Sequence, residues 1–360
     1  MPVNDLYRSY RLSWFGQPGE SSDVALMSRV SLSRNFARLP FPNRADMKQL
    51  ATVQNMANSV FADIEAAVGQ EFDAIGLDGL TEMERRVLEE KELVSREMLD
   101  STQYRSAYIS ADRRVSILVN EEDHLRIQCM APGLDLTAPF AAASRIDDAI
   151  EAKLDMAFDE KMGYLTSSPT NLGTGLRAEV MLHLPGLAYT RNINSVASTA
   201  QQLGILVQGG GSKDNEAAGH FFEATNQMTL GCTEAGLLET LTGAVKEIIA
   251  HERRARKALL LYSKERLEDA VWRAYGILCY ARSLGEKEVE ELVSKVRLGI
   301  DLGLLDAIPS AGCADLLLAS RPEYIKNLSG NENLSPPEID RQRAVMVRRV
   351  LADLRQEGTA

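Results

Sequence analysis

The sequence is poor in the residues from which metal and redox centres are built. Four histidines (His124, His183, His220 and His251) and four cysteines (Cys129, Cys232, Cys279 and Cys313) are scattered through 360 residues. No two cysteines form a C-x-x-C pair and no two histidines stand at ligand spacing, which excludes a zinc ribbon or a disulfide framework. The expectation is reduced thiols and structural imidazoles. No window approaches the roughly 18 unbroken apolar residues of a membrane helix. The first residues, MPVNDLYRSYRLSW, have no apolar run of signal-peptide length, so a cytoplasmic protein is expected. A net positive charge is also missing. At −11 overall, the summed field repels phosphate backbones, so neither nucleic acid nor an anionic membrane is expected as the main partner.

What is present describes a globular chain, 45% hydrophobic and long enough for two domains. Residues 46–100 carry apolar side chains at three- and four-residue spacing and read as mostly helical, with Thr81 and Glu84 placed as a capping box. Near residue 105 the texture changes. SAYIS, RVSILVN and HLRIQCM read as three strands of an antiparallel meander, and RIDDAIEAKLDMAFDEKM as an amphipathic helix. AEVMLHLP, ILVQ and FFEATNQMTL return as strands, with SVASTAQQLG helical between the first two. After about 235 the chain is helical, with a linker at SGNENLSPPE before a basic last helix. The expected class is α+β. A catalytic domain spans 1–255, helical to about 100 and then an antiparallel sheet flanked by helices. A helical domain spans 256–360.

Four segments could carry chemistry. SRVSLSRNF holds Arg29 and Arg34, whose guanidinium forks match phosphate oxygens, although taken alone the segment is better explained as a solvated basic turn. NEEDHLRIQ sets Glu121, Glu122 and Asp123 before Arg126. Such carboxylates could grip a guanidinium, or simply form an acidic hairpin turn. TSSPTNLGTGLRAEVMLHLP is a glycine-rich loop leading to Arg177 at a strand start, able to turn backbone N–H groups towards phosphates. It has no G-K-[ST] and is not a Walker A sequence. GGGSKDNE is a loop that could act as a lid or be plain surface.

Taken in this order, the segments resemble the ATP:guanido phosphotransferases, the superfamily of creatine kinase, arginine kinase and the bacterial protein arginine kinases. NEEDHLR is close to one signature of the family, TSSPTNLGTGLR to another, and Ser28 to Arg34 to its S-R-[IV]-R-x-x-R run. YGILCYARSLGEKEVEELVSKVRLGIDLGLL looks like the extra domain of the protein arginine kinases. Their R-D-x-x-R-A phosphoarginine pocket stands here as Ile339 to Ala344, with Asp340, Arg343 and Ala344 retained and the first arginine replaced. The resemblance implies phosphoryl transfer from ATP-Mg²⁺ to arginine side chains of proteins, with Glu122 orienting and deprotonating the acceptor. It implies a nucleotide site made of Met27, Ser28, Arg29, Val30, Ser31, Glu92, Arg126, Arg177, Ala178, Glu179, Val180, Met181, Gln208, Gly209, Gly210, Gly211, Ser212 and Lys213. It further implies protein quality control with an adaptor and a Clp-type protease as partners, and a homodimer formed through the helical domain.

The departures from the family pattern fall on the chemistry. Ser31 stands where the motif has a second arginine, Glu92 where E-K-H-L has a histidine, and Ser168 where the family has a reactive cysteine. Gln208 replaces a lid arginine, and Lys213 a guanidinium-binding glutamate that Glu216 could replace only if the loop rearranges. Two readings follow: an active protein arginine kinase, or a degenerate relative that binds phosphoarginine or a partner without transferring phosphate. A small-metabolite guanidino kinase is disfavoured by the C-terminal domain.

Overall fold

The computed structural model describes residues 6–7, 9–12, 14–209 and 218–357. Its centre is an eight-stranded antiparallel sheet in the order β2-β3-β4-β5-β1-β8-β10-β9. The strands are β1 (Ala25–Arg34), β2 (Phe72–Gly76), β3 (Ser106–Ser110), β4 (Val115–Val119), β5 (Leu125–Pro132), β8 (Leu176–His183), β9 (Ile205–Gly209) and β10 (Phe221–Asn226). A small ribbon of β6 (Phe158–Asp159) and β7 (Gly163–Tyr164) stands apart.

The helices of the first part are α1 (Met47–Ser59), α2 (Phe61–Val68), α3 (Glu82–Glu90), α4 (Thr137–Glu151), α5 (Pro185–Tyr189) and α6 (Ile193–Gln202). Then come α7 (Glu234–Tyr280), α8 (Glu286–Asp301), α9 (Gly312–Ala319), α10 (Pro322–Ser329) and α11 (Pro336–Glu357). The capping box at Thr81 and Glu84 opens α3.

One face of the sheet is apolar for a simple reason of period. Val30, Leu32, Ile127, Cys129, Ala178, Val180, Val207 and Ala224 alternate with polar residues along their strands. They pack under α4 and the first turns of α7, where Leu237, Leu241, Val245 and Ile248 are buried. A second core, centred on Val271, Leu278, Val293, Val296, Leu316, Val347 and Leu351, holds the C-terminal helices together. The helix α7 runs unbroken in register with both cores except at Ser263, where φ −144° and ψ 26° leave the helical region.

The structure differs from the sequence reading at three places. SRVSLSRNF is not a turn: most of it lies in β1, which is paired on both sides, with β5 and β8. Residues 46–100 also contain an edge strand, β2, too short to interrupt the helical periodicity around it. The helix expected from Arg145 to Met162 begins earlier, at Thr137, and stops at Glu151, because Asp155 to Tyr164 turn into the β6–β7 ribbon and its approach. NEEDH forms the bend between β4 and β5, as its reading as an acidic turn had it, and Asn120 there takes a left-handed φ of 58°.

Candidate functional site

The other face of the sheet is charged. The strand registers bring Arg29 and Ser31 of β1 against Glu179 and Arg177 of β8, and against Met130 and Gln128 of β5. Arg126 pairs with Ser33, Glu223 with Gln208 and Met181, and Thr225 with Glu179. Cross-strand partners share a face, so one surface collects Arg29, Ser31, Arg126, Arg177, Glu179, Gln208 and Glu223.

Arg29 sits at the centre. Its Nε donates to Glu179 Oε2 at 2.5 Å and its Nη1 to Glu92 Oε2 at 2.6 Å. Arg177 Nε donates to the other oxygen, Glu179 Oε1, at 3.1 Å. Arg126 Nη1 donates to Glu121 Oε1 at 3.0 Å. Burial pushes the Glu179 carboxyl up, but Arg29, Arg177 and Arg126 outweigh it and hold the group at about 2. Glu121 follows the same logic: burial opposes ionisation, Arg126 favours it, and the carboxyl is lowered. Glu223 goes the other way. Burial and then the charge of Glu179 lift it to about 7, with Glu92 adding to the rise and Arg29 and Arg177 opposing it.

Glu92 reaches Arg29 from the turn after α3. Its backbone lies in the left-handed region, at φ 57°, and its carbonyl accepts from Gln128 Nε2 at 2.7 Å. The two residues before it are tethered as well. Lys91 Nζ donates to the Leu6 carbonyl at 2.5 Å and also to that of Ser9. Glu90 accepts the backbone N–H groups of Glu323 (2.8 Å) and Tyr324 (2.9 Å) at the start of α10.

Glu122 stands exposed at the rim, in the bend that leads into β5. Partial desolvation, then Asp123 and Glu121, raise its carboxyl. The glycine-rich loop is fastened beside it: Asp123 Oδ1 accepts from the Ser167 N–H (2.7 Å) and from Asn35 Nδ2 (2.6 Å). Ser168 Oγ pairs with Thr170 Oγ1 at 2.8 Å. Gly175, at φ +64°, lies so close to β1 that an added Cβ would meet Arg34 Nη1 and the Ser33 carbonyl oxygen at 2.6 Å each. Arg34 itself is structural. It is buried, forked onto Asp147 with contacts of 2.6 to 3.0 Å, and stacked 3.5 Å from the Tyr164 ring centroid.

The remaining expected residues divide by strand parity. Met27 and Met181 continue the charged face into an apolar end beside Trp14, Leu12 and Met130. Ser28, Val30, Ala178 and Val180 turn their side chains into the opposite layer. Ser28 Oγ donates to the Gly133 carbonyl at 2.8 Å, and the Ala178 N–H donates to Asn226 Oδ1 at 2.7 Å. Gly209 closes β9 opposite Phe222. Gly210, Gly211, Ser212, Lys213 and Glu216 lie outside the described residues. Arg343 is buried, giving Nε to the Ser320 carbonyl and Nη1 to the Leu284 carbonyl (2.8 Å each) and to Asp340 Oδ1 (2.5 Å). Asp340 is partly exposed and Ala344 is buried in the second core. Sequence reasoning passed over Glu223, whose signal was the alternation in FFEATN.

Beside the arginine cluster lies a cavity of about 850 Å³. Its lining includes Met27, Met130, Met181, Glu92 and Glu223 of the sheet side and Glu286, Glu290 and Arg321 of the C-terminal part; Arg29, Arg126 and Arg177 do not line it. That space is large enough for a nucleotide.

Residues 52–255 match the family described as ATP:guanido phosphotransferase, C-terminal catalytic domain, and residues 264–360 match the Protein-arginine kinase McsB C-terminal domain. A protein-arginine kinase of Bacillus subtilis (strain 168) is 40% identical over 336 residues, covering 93% of this chain and 92% of that protein. One from Halalkalibacterium halodurans is 41% identical over 335 residues, covering 93% and 94%. Among solved structures, a lombricine kinase superposes with a TM-score of 0.58 at 21% identity, over 68% of this chain and 70% of that one. The duplicated taurocyamine kinase from Schistosoma mansoni gives 0.59 at 22%, over 75% and 39%. At those identities the two structures speak for the fold alone. Among the described residues, no helix is long and apolar enough to cross a membrane. The two family matches and the 40% identity along nearly the whole chain establish that it belongs to the ATP:guanido phosphotransferase family, in its protein-arginine kinase branch.

Proposed function

We propose that this protein phosphorylates arginine side chains of proteins, with ATP-Mg²⁺ as the donor. The observation that carries the reading is the gathering of Arg29, Arg126 and Arg177 on one face of the sheet, with exposed Glu122 in the bend close enough to Arg126 to feel its charge. Phosphoryl transfer asks a protein mainly for positioning and for positive charge around the phosphates. Three guanidiniums supply the charge. The acceptor guanidinium must lose a proton to attack, and the raised carboxyl of Glu122 is suited to take it. In the step itself the acceptor nitrogen forms a bond to the γ-phosphorus. The bond from that phosphorus to the bridging oxygen breaks, ADP leaves, and the proton resides on Glu122. Met27, Met181 and the cavity beyond them are assigned to the nucleoside, and the lid residues Gln208 to Lys213 to closing the site.

On the same reading Asp340, Arg343 and Ala344 form the phosphoarginine pocket, with Arg343 exchanging a carbonyl partner for phosphate. An adaptor and a Clp-type protease are the proposed partners, in stress-linked quality control in the cytoplasm, and the protein pairs through its helical unit. Incubation with ATP-Mg²⁺ and a denatured protein, read by mass spectrometry, should yield phosphoarginine. Removing one preorganised charge costs about 10²–10³ in rate, so Arg126→Ala should lower the yield by that factor. No signal above that variant from the unaltered protein would defeat the reading and leave a binding role.

A further inference from the structure

The arginines proposed to hold the triphosphate are already in use. Arg29 is paired on two sides, with Glu179 and with Glu92, and Arg177 is paired with Glu179. Glu179 thus places one carboxylate oxygen on each of two arginines, and Arg126 lies within electrostatic reach of it. A carboxylate presents two oxygens to guanidinium forks much as a phosphate does. Arg29 and Glu179 are both largely buried, with side chains 14% and 13% exposed. A guanidinium so placed needs a partner, since an uncompensated buried charge is strongly destabilising.

We infer that Glu179, with Glu92 as a second and outer contact, acts as an internal anion that occupies the phosphate-binding arginines until a nucleotide displaces it. The inference rests on the proposed kinase reading only in taking the displacing anion to be a triphosphate. A triphosphate brought to this face as it stands would meet Glu92, Glu179 and Glu223 alongside the arginines, and like charges at that range oppose binding. Protonation cannot clear the way at Glu179, which the three arginines keep ionised far below neutral pH.

The carboxylates must therefore move, and the fold lets them move unequally. Glu179 lies mid-strand with β1 on one side and β10 on the other, so only its side-chain torsions are free. Glu92 lies in a turn, and its side chain is 37% exposed. Glu92 yields first, and Glu179 sets the remaining cost. That cost makes the site selective for multiply charged anions, which can engage several arginines at once. A single phosphate gains too little to displace the internal carboxylate.

The test is calorimetric titration of the full chain with Mg-ATP, pyrophosphate and orthophosphate, for the unaltered protein, Glu92→Gln, Glu179→Gln and the double variant. The glutamines keep shape and hydrogen-bonding capacity but lose the charge. Expected is at least tenfold tighter pyrophosphate and Mg-ATP binding in Glu92→Gln, a larger gain in the double variant, and orthophosphate binding only where Glu179 is replaced. Pyrophosphate and Mg-ATP affinities unchanged or weakened in folded Glu92→Gln protein would overturn the inference. So would an unaltered protein that binds orthophosphate as tightly as pyrophosphate. Should Glu179→Gln not fold, Glu92→Gln decides the matter, because its side chain is partly exposed. Tighter binding without phosphoarginine formation would sink the proposed kinase activity and leave the internal anion standing. Phosphoarginine formation with unchanged affinities would do the reverse.

Discussion

Single side chains on the charged face differ sharply in what they tolerate. Glu223 is the group whose charge is least settled, lying between Arg29 of β1, Glu179 and Arg177 of β8, and Glu92 after α3. Lys287, Glu290 and Glu291 of α8 and Arg321 before α10 line the same cavity. Its folded pKa, about 7, lies above the ordinary carboxylate value of 4.5, so the folded state binds the extra proton between those values. The ionised form is the unfavourable one, so its penalty is absent below about pH 4, grows between 4.5 and 7, and is fully present at pH 8. Glu223→Gln should therefore match the unaltered protein near pH 4 and exceed its stability by about 1–3 kcal/mol at pH 8, read from urea melts at both values. The pair beneath the sheet behaves oppositely. Asp147→Ala strips buried Arg34 of its fork and should cost about 3–5 kcal/mol, whereas joint replacement with Arg34→Met should cost clearly less.

At the scale of elements, the meander of β3, β4 and β5 was legible because alternation is strong over short strands with turns between them. β1 was not, since arginines and serines at every second position look like a polar turn when only the residue types are weighed. The same alternation decides which expected nucleotide residues present side chains to the face. Arg29 and Glu179 do, while Val30 and Val180 do not, a distinction that motif matching passes over. The glycine-rich loop depends on backbone geometry more than on its polar side chains. Gly175→Ala puts a Cβ against β1 at a positive φ and should lower the thermal midpoint measurably, with a loss of about 1–3 kcal/mol. The start of α10 depends on a residue from another element. Its N-cap, Arg321, makes no side-chain cap, and Glu90 supplies the acceptors instead. Glu90→Ala should cost about 1 kcal/mol and speed amide exchange in α10 more than in α9.

For the molecule as a whole, family-specific segments identified the lineage. The joining of the two cores by a single long helix was less visible, because amphipathic periodicity says nothing of where one core ends. On α7, Leu261, Tyr262, Trp272 and Tyr280 remain exposed. If the proposed dimer forms through the helical unit, Trp272→Glu combined with Tyr280→Glu should shift the protein to monomer in light scattering, with the sheet's circular dichroism unchanged.

The succession Glu90, Lys91, Glu92 ties these scales together. One residue secures α10, the next the amino-terminal segment, and the third the central arginine. Shortening the protein to its sheet-bearing portion would deprive Glu90 of both N–H partners and loosen the turn from which Glu92 reaches Arg29. The severed fragment would carry an altered arginine cluster even though every residue of that cluster were retained, so it would be a poor surrogate for measuring how the intact protein handles nucleotides.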